Sequence, residues 1–501
     1  MNDKIVVWIN VELIHFGIAK FLKERYECDL YGIIDIQDKT VDFFKKQQLV
    51  DFKKIWFYRE NITAKKEPDL KYLSDFESKY GINLWNLVYS ERIFYEYNQY
   101  YKFEYSEILS ILEQECRYFE KIFQEVIPDY FLITTYAEHQ SHLFYQMCRK
   151  MGTKVLMLMP TRQGYRAMIA PSLNDLELQK TSSNNATTNE NIQNYFQKHN
   201  ASKHQDETTK WLLSRMKKNQ SLKSLARFLI KFCNDDYRKF YGNYGKTRTK
   251  ILKNQVLSYS KKQSRQKFID ENFKKVVNNE TNFVYFPLHV EPERTTLFDA
   301  PFYSNQFEVI KTISKSLPIQ YKLYVKEHPT MKSLGWRDIS YYQKILDLPN
   351  VEFIHPDITS EEILKNCSLV ITVNGTVGLE AVYFGKPSIT FVNASYSFLP
   401  SVTVLNKIEE LPKTIRESLD KDVDKNSVCE YIRLIEENSF DFDLPKLRRK
   451  ISDIFYPSGL GNETVSEDTM KRFLEKNSNE FELLALEHIK KIKQYKQTVY
   501  S

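Results

Sequence analysis

The chain has 501 residues, 42% of them hydrophobic, 14% aromatic and 27% charged, with 13 glycines and 16 prolines. That composition excludes a fibrous or largely disordered chain and is enough for roughly two to three domains with sizeable cores. Net charge is +7, but residues 211–270 carry 16 Lys and Arg against 3 Asp, a local +13 that leaves the remainder at −6.

The opening stretch MNDKIVVWINVELIHF has no basic leader, and Glu12 interrupts its apolar run, so a secretory signal is not expected. No uncharged run approaches the ~20 residues needed to cross a bilayer. The six cysteines form no C-x-x-C pair and the nine histidines no H-x-x-x-H pair. A reduced, cytoplasmic protein without a disulfide frame or a tightly bound metal is expected.

Apolar runs of strand length come first at 4–11, 28–35, 53–59, 129–136 and 153–160, separated by helical patterns that include a long one over about 93–123. Such runs lack strict alternation, which fits strands buried on both faces of a parallel sheet. Residues 1–170 therefore read as one doubly wound α/β domain. Residues 171–210 are polar and read as a linker or insertion. Residues 211–280 read as a basic helical segment, with Leu222, Leu225, Ala226, Leu229 and Ile230 on one face. Its charge suits an anionic membrane surface or a polyanionic glycan. The plain alternative is a solvated helix face. No RNA- or DNA-binding motif accompanies the block, so nucleic acid is not an expected partner. Strand runs resume at 282–288, 321–327, 351–355, 368–373 and 387–392. They define a second α/β domain over 281–415, followed by charged helices over 416–501.

Ligands of open α/β sheets sit beyond the carboxyl ends of the strands. Four successive strands of the second domain end in polar groups: His289 to Glu293, Glu327-His328-Pro329, His355-Pro356 and Asn374-Gly375-Thr376. At the last of these, Thr376 can cap the helix that follows, while Gly375 and Gly378 let the backbone approach a ligand. Free N–H groups at such a helix start attract phosphate, and Glu380, one turn on, can accept from a ribose hydroxyl. The alternative is a capped helix with no ligand. His328 can neutralise or protonate a phosphate, and Lys326 shares its side of the strand. Glu291, Glu293 and Asp299 offer carboxylates for chemistry at an anomeric carbon, or surface ion pairs with Arg294. In the first domain Glu138, His139 and Arg162 follow strands and would line the opposite wall.

Together, YFPLHVEPERTT, YKLYVKEHP, LPNVEFIHP and VITVNGTVGLEAVYFGKPSITF resemble the capsule polysaccharide biosynthesis family, over about residues 280–395. The resemblance implies the GT-B architecture: two Rossmann-type, doubly wound parallel-sheet domains facing a cleft, with additional helices. It implies a glycosyltransferase of surface polysaccharide synthesis. Such an enzyme takes a nucleotide sugar as co-substrate, without a further cofactor or metal, and passes the sugar to a glycan or lipid-linked acceptor. Relatives that transfer the acidic sugar Kdo use a CMP-linked donor. More distant sialyltransferases of this architecture hold the CMP phosphate with a His-Pro pair and a hydroxyl-bearing helix start. Those roles fall on His328-Pro329 and Thr376. The chain departs from the Kdo enzymes in having His289 where they have glutamine, and it lacks an acidic pair followed by glycine.

The expected donor site is Lys326, His328, Asn374, Gly375, Thr376, Gly378 and Glu380. The expected catalytic groups are His328 with Glu291 or Glu293. The acceptor side is expected at Glu138, His139 and Arg162, with residues 211–270 docking the protein peripherally on the inner face of the cell membrane. On the same architecture a non-hydrolysing UDP-sugar 2-epimerase, a polyol-phosphate transferase or a non-catalytic glycan-assembly protein are the alternatives.

Overall fold

The computed structural model describes residues 2–36, 39–62, 67–179, 240–278, 280–457 and 464–500, with a few positions between 192 and 215. Most of the polar linker, and the leucine-lined helix face at 222–230, lie outside the described residues.

Among the described residues thirteen strands form two sheets. In chain order they are β1 (Asp3–Ile9), β2 (Cys28–Ile34), β3 (Lys54–Phe57), β4 (Tyr130–Ile133), β5 (Lys154–Pro160), β6 (Arg166–Ala170) and β7 (Phe283–Pro287). There follow β8 (Lys322–Lys326), β9 (Val351–Ile354), β10 (Leu369–Thr372), β11 (Ser388–Thr390), β12 (Val402–Val404) and β13 (Phe440–Asp441). The first sheet runs β13-β6-β5-β4-β1-β2-β3 and the second β12-β11-β10-β7-β8-β9. Ile5, Val6 and Val7 are fully buried on β1, as are Leu369, Val370 and Ile371 on β10, which explains apolar runs without alternation. Strand order reverses beside β1 in one sheet and beside β7 in the other, and ligand crevices open at such switch points. The chain thus has two doubly wound α/β domains, as the sequence leads one to expect.

The first sheet is not parallel throughout. β6 runs antiparallel to β5, and β13 antiparallel to β6. β12 and β13 are only three and two residues long, while β6 carries the buried apolar run Ala167–Ala170, which lies outside the expected strands. The helical pattern over about 93–123 also resolves differently: the helix spans Tyr105–Glu125, begun by a capping box of Glu104 and Glu107. Residues 92–104 instead form irregular chain that buries Phe94 and Phe103.

The tail returns to the first domain. β13 extends its sheet, and the helix Ser478–Tyr500 packs on the helix Ile14–Arg25. The two helices approach so closely at Gly17 that a Cβ there would lie 2.3 Å from the Phe481 ring. Phe481 stacks on Phe21 at 6.1 Å.

The described part of the basic segment is a strut. The helix Arg248–Asn272 has 25 residues but buries only Ile251 and Ile269. Its first turn is tied to the first domain, where Lys250 donates to the Tyr100 carbonyl. Its end is tied to the second, where Arg265 donates to the carbonyls of Gly335 and Trp336 at 3.1 and 3.0 Å. A helix polar on all sides is stable when it bridges two bodies in this way.

Candidate functional site

A cleft of about 1030 Å³ opens between the two sheets. Its walls are the carboxyl ends of β4 and β5 on one side and of β7, β8, β9 and β10 on the other. Of the expected residues, Arg162, Glu293, Lys326, His328, Asn374, Gly375, Thr376 and Glu380 line it. Glu291, Gly378, Glu138 and His139 do not.

A buried ionic network runs back from the cleft wall at Glu327. The Glu327 carboxylate accepts from the His328 backbone N–H at 2.7 Å, from the Arg337 Nε at 2.9 Å and from the Tyr342 hydroxyl at 2.8 Å. The same Arg337 guanidinium reaches the His289 carbonyl and pairs with Glu291. Arg337 and Glu327 are 7% and 1% exposed, so neither charge is tolerable without the other. This joins the ends of β7 and β8 and aims the residues that follow them.

His328 Nδ1 accepts the Thr330 backbone N–H at 3.2 Å. The proton of the neutral ring therefore resides on Nε2, which makes that nitrogen a donor. Burial is the largest influence on this imidazole and pulls its pKa below the ordinary value, with Glu293 and Glu327 opposing and His289 and Lys326 adding. Lys326 and Glu380 are 4% and 6% exposed. Burial raises the Glu380 carboxyl to about 7, against the pull of Lys326 and of a hydrogen bond with Thr376. Thr376 sits in helical conformation and its hydroxyl does not cap the helix Val377–Tyr383; it serves Glu380 instead.

The glycines of the turn answer to protein groups rather than to open space. A Cβ on Gly375 would lie 2.6 Å from Thr372 Oγ1, and one on Gly378 would lie 2.4 Å from the Tyr396 hydroxyl. Gly378 thus makes room for Tyr396, which donates to the Gly375 carbonyl. His289, expected among the polar strand-end groups and as a departure from a family pattern, lies under the same turn, its Nε2 3.3 Å from Thr372 Oγ1.

The two candidate carboxylates part company. Glu291 is committed to Arg337 and to Gln306 and does not reach the cleft wall. Glu293 lines the cleft with its Oε2 3.6 Å from His289 Nδ1. Burial would raise its pKa, but the His289 contact and the charges of His289, His328 and Arg294 hold it below the usual carboxylate range. Asp299 is paired with Arg294 at 2.7 Å.

On the opposite wall, Arg162 donates to both oxygens of Asn374, each at 3.2 Å, and so bridges the domains. His139 is no cleft residue. It is fully buried between Glu91 and Glu115, at 2.5 and 2.9 Å. Burial pulls its pKa down, but the two carboxylates outweigh that and raise it to about 10. Glu138 lies in a separate cluster with Asp35, Arg59 and Gln140, where burial and Asp35 lift its carboxyl to about 7. Sequence reasoning missed Arg448, which enters the cleft from the tail helix Leu444–Phe455 and pairs with Glu12 at 3.0 Å. Only the return of the tail brings it there.

Residues 180–424 match the model of the family described as "Capsule polysaccharide biosynthesis protein". Over that span, just under half of its length, the chain is similar to the capsule polysaccharide biosynthesis family. All the second-domain cleft residues fall inside the matched span. Among curated proteins, "Protein FixF" of Sinorhizobium fredii is 29% identical over 120 residues, 23% of this chain. The chain spans 27% of the length of that relative. Similar solved structures include the UDP-GlcNAc 2-epimerase of Methanocaldococcus jannaschii, at 13% identity and TM-score 0.24 over 87% of this chain and 99% of the other. Another is a KpsC beta Kdo 2,4 transferase of Thermosulfurimonas dismutans, at 13% identity and TM-score 0.28 over 60% of this chain and 86% of the other.

Two outcomes are expected. Arg337→Met leaves Glu291 and Glu327 buried without their cation, and urea unfolding should show a loss of about 3–5 kcal/mol. Glu380 has a folded pKa above its unfolded one, so its contribution to stability is fullest below the unfolded value and is lost as pH rises through about 7. The thermal midpoint of Glu380→Gln relative to the parent should therefore climb between about pH 5 and about pH 8.

Proposed function

We propose that this protein is a glycosyltransferase of surface polysaccharide synthesis that binds the phosphate of a nucleotide sugar at the His328–Thr376 face of the cleft. The observation that carries this reading is the convergence on one cleft wall of groups from the ends of β8 and β10, the two strands that flank β7: the neutral His328 with its Nε2 proton, the buried Lys326 and the Thr376 turn. The similarity of residues 180–424 to the capsule polysaccharide biosynthesis family supports the class of chemistry. In the transfer, the bond from the anomeric carbon to the phosphate oxygen breaks with its electron pair on the phosphate. The acceptor oxygen bonds to that carbon and gives up its proton. His328, Lys326 and Arg162 stabilise the charge gathering on the leaving phosphate. Glu293 is the carboxylate positioned to act at the anomeric centre, by stabilising positive charge or taking the acceptor proton. Glu380 accepts from the ribose. A CMP-linked acidic sugar suits a cleft that also presents Arg294 and Arg448. The acceptor is a glycan or a lipid-linked glycan.

Thermal-shift measurements with CMP, CDP, UDP and GDP test this. A nucleotide at a hundredfold excess over its Kd should stabilise by about 2.7 kcal/mol, and His328→Ala and Thr376→Ala should each abolish the shift. A bound phosphate raises the pKa of His328, which burial depresses in the free site, so affinity should rise as the pH falls toward that depressed value. No shift with any nucleotide would favour an assembly protein, and interconversion of a UDP-sugar without acceptor would favour an epimerase.

The basic segment 211–270 is assigned to the inner face of the cell membrane. Its strut exposes Lys253, Lys261 and Lys267 together with Val256 and Tyr259, and no helix among the described residues is long and apolar enough to cross a membrane. The protein should co-sediment with vesicles containing anionic lipid at low salt and be released by high salt. Failure to sediment at low salt would remove the assignment.

A further inference from the structure

The stretch YSERIFYEYNQYYKFEYS, residues 89–106, holds six tyrosines and two phenylalanines. The fold uses only part of them. Phe94 and Phe103 are each 6% exposed and belong to the first-domain core. Tyr89, Tyr95 and Tyr105 are 59%, 69% and 61% exposed, and neighbouring Trp85 is 44% exposed. These outward rings are ordered into pairs. Trp85 stacks with Tyr105 at 6.0 Å, and Tyr89 meets Tyr95 edge-on at 5.4 Å.

Trp85 and Tyr89 lie one turn apart on the helix Leu84–Ser90 and so share a face. The opposite face buries Leu84, Leu87 and Val88. The outward rings are thus extra to the core, and an exposed aromatic cluster of this size marks a binding surface.

The surface is continuous with the cleft. The helix Leu84–Ser90 touches the segments Thr295–Asp299 and Pro301–Tyr303 of the second domain. Thr295 lines the cleft, and Phe302 stands 88% exposed. A chain leaving the cleft along this rim would pass over the rings.

We propose that Trp85, Tyr89, Tyr95 and Tyr105, with Phe302 across the domain contact, form a glycan-binding platform that holds the acceptor polysaccharide beside the cleft. A pyranose has a face of C–H bonds and an edge of hydroxyls. Tyrosine and tryptophan match it with an apolar ring face and a polar O–H or N–H edge. They do so with few rotatable bonds to freeze. The rings are uncharged, so the platform grips the sugar face whatever acidic groups the polymer carries. The choice of a glycan rests on the transferase reading above.

The test uses the full chain and an array of bacterial surface oligosaccharides, followed by titration of the strongest binders. The variants are Trp85→Ala/Tyr89→Ala and Tyr95→Ala/Tyr105→Ala, all at exposed positions. The parent should bind, and each variant should bind about tenfold more weakly or worse, with nucleotide thermal shifts unchanged. Trp85→Phe, which keeps a ring, should retain most of the affinity. The proposal is overturned if no oligosaccharide binds the parent, or if the variants bind as the parent does. It is also overturned if the parent self-associates in sedimentation and the variants do not, since the patch then joins two copies. Glycan binding lost in the variants without any nucleotide shift in the parent would sink the transferase reading and leave the platform standing.

Discussion

The donor side of the cleft depends on one buried cation. Arg337 holds Glu327 after β8, and Glu291 and the His289 carbonyl after β7. The residue before it, Trp336, adopts a left-handed backbone with φ 63°, a conformation that costs a non-glycine residue about 1–2 kcal/mol. That conformation is held from outside: Trp336 donates its indole N–H to Gln266 at 3.0 Å, and Arg265 binds its carbonyl. Both partners belong to the bridging helix. The strut between the domains therefore also braces the ion network that orients His328.

The domains meet through a second set of contacts. Arg162 binds Asn374 and lies 5.0 Å from the centre of the Tyr396 ring. Gln163 donates to the Tyr383 hydroxyl at 3.0 Å. Behind them an apolar cluster joins Met159 and Met168 of the first domain to Leu379, Val382 and Tyr396 of the second. The turn that would hold phosphate is thus read directly by the opposite domain. A change in domain angle would be felt at Asn374 before anywhere else in the cleft.

The sequence carries the sheets well because a strand buried on both faces must be apolar throughout. It carries the cleft well because polar residues at the ends of such strands stand out. It cannot show what is decided at long range. Glu291 and Glu293 are two residues apart in irregular chain, where alternation says nothing, and only Arg337 separates their roles. His139 follows a strand as a site residue would, yet Glu91 and Glu115 from other elements enclose it. Arg448 and β13 belong to the tail, and nothing local reveals that a tail rejoins the first sheet. The helix expected from about residue 93 fails at its start because aromatic anchors, rather than helical spacing, set the path of residues 92–104.

That returning tail bears on the order of assembly. The core on one face of the first sheet contains Ile5, Val7 and Phe16 together with Leu444, Phe473, Phe481 and Ile492. A chain emerging from the ribosome usually completes its domains from the N-terminus. Here the earlier-made of the two domains is finished after the later one. Its hydrophobic face waits, uncovered, while the whole second domain is made. During synthesis the first-sheet core is therefore the part most exposed to aggregation and to chaperones, and loss of residues 444–492 would strike the domain built on β1.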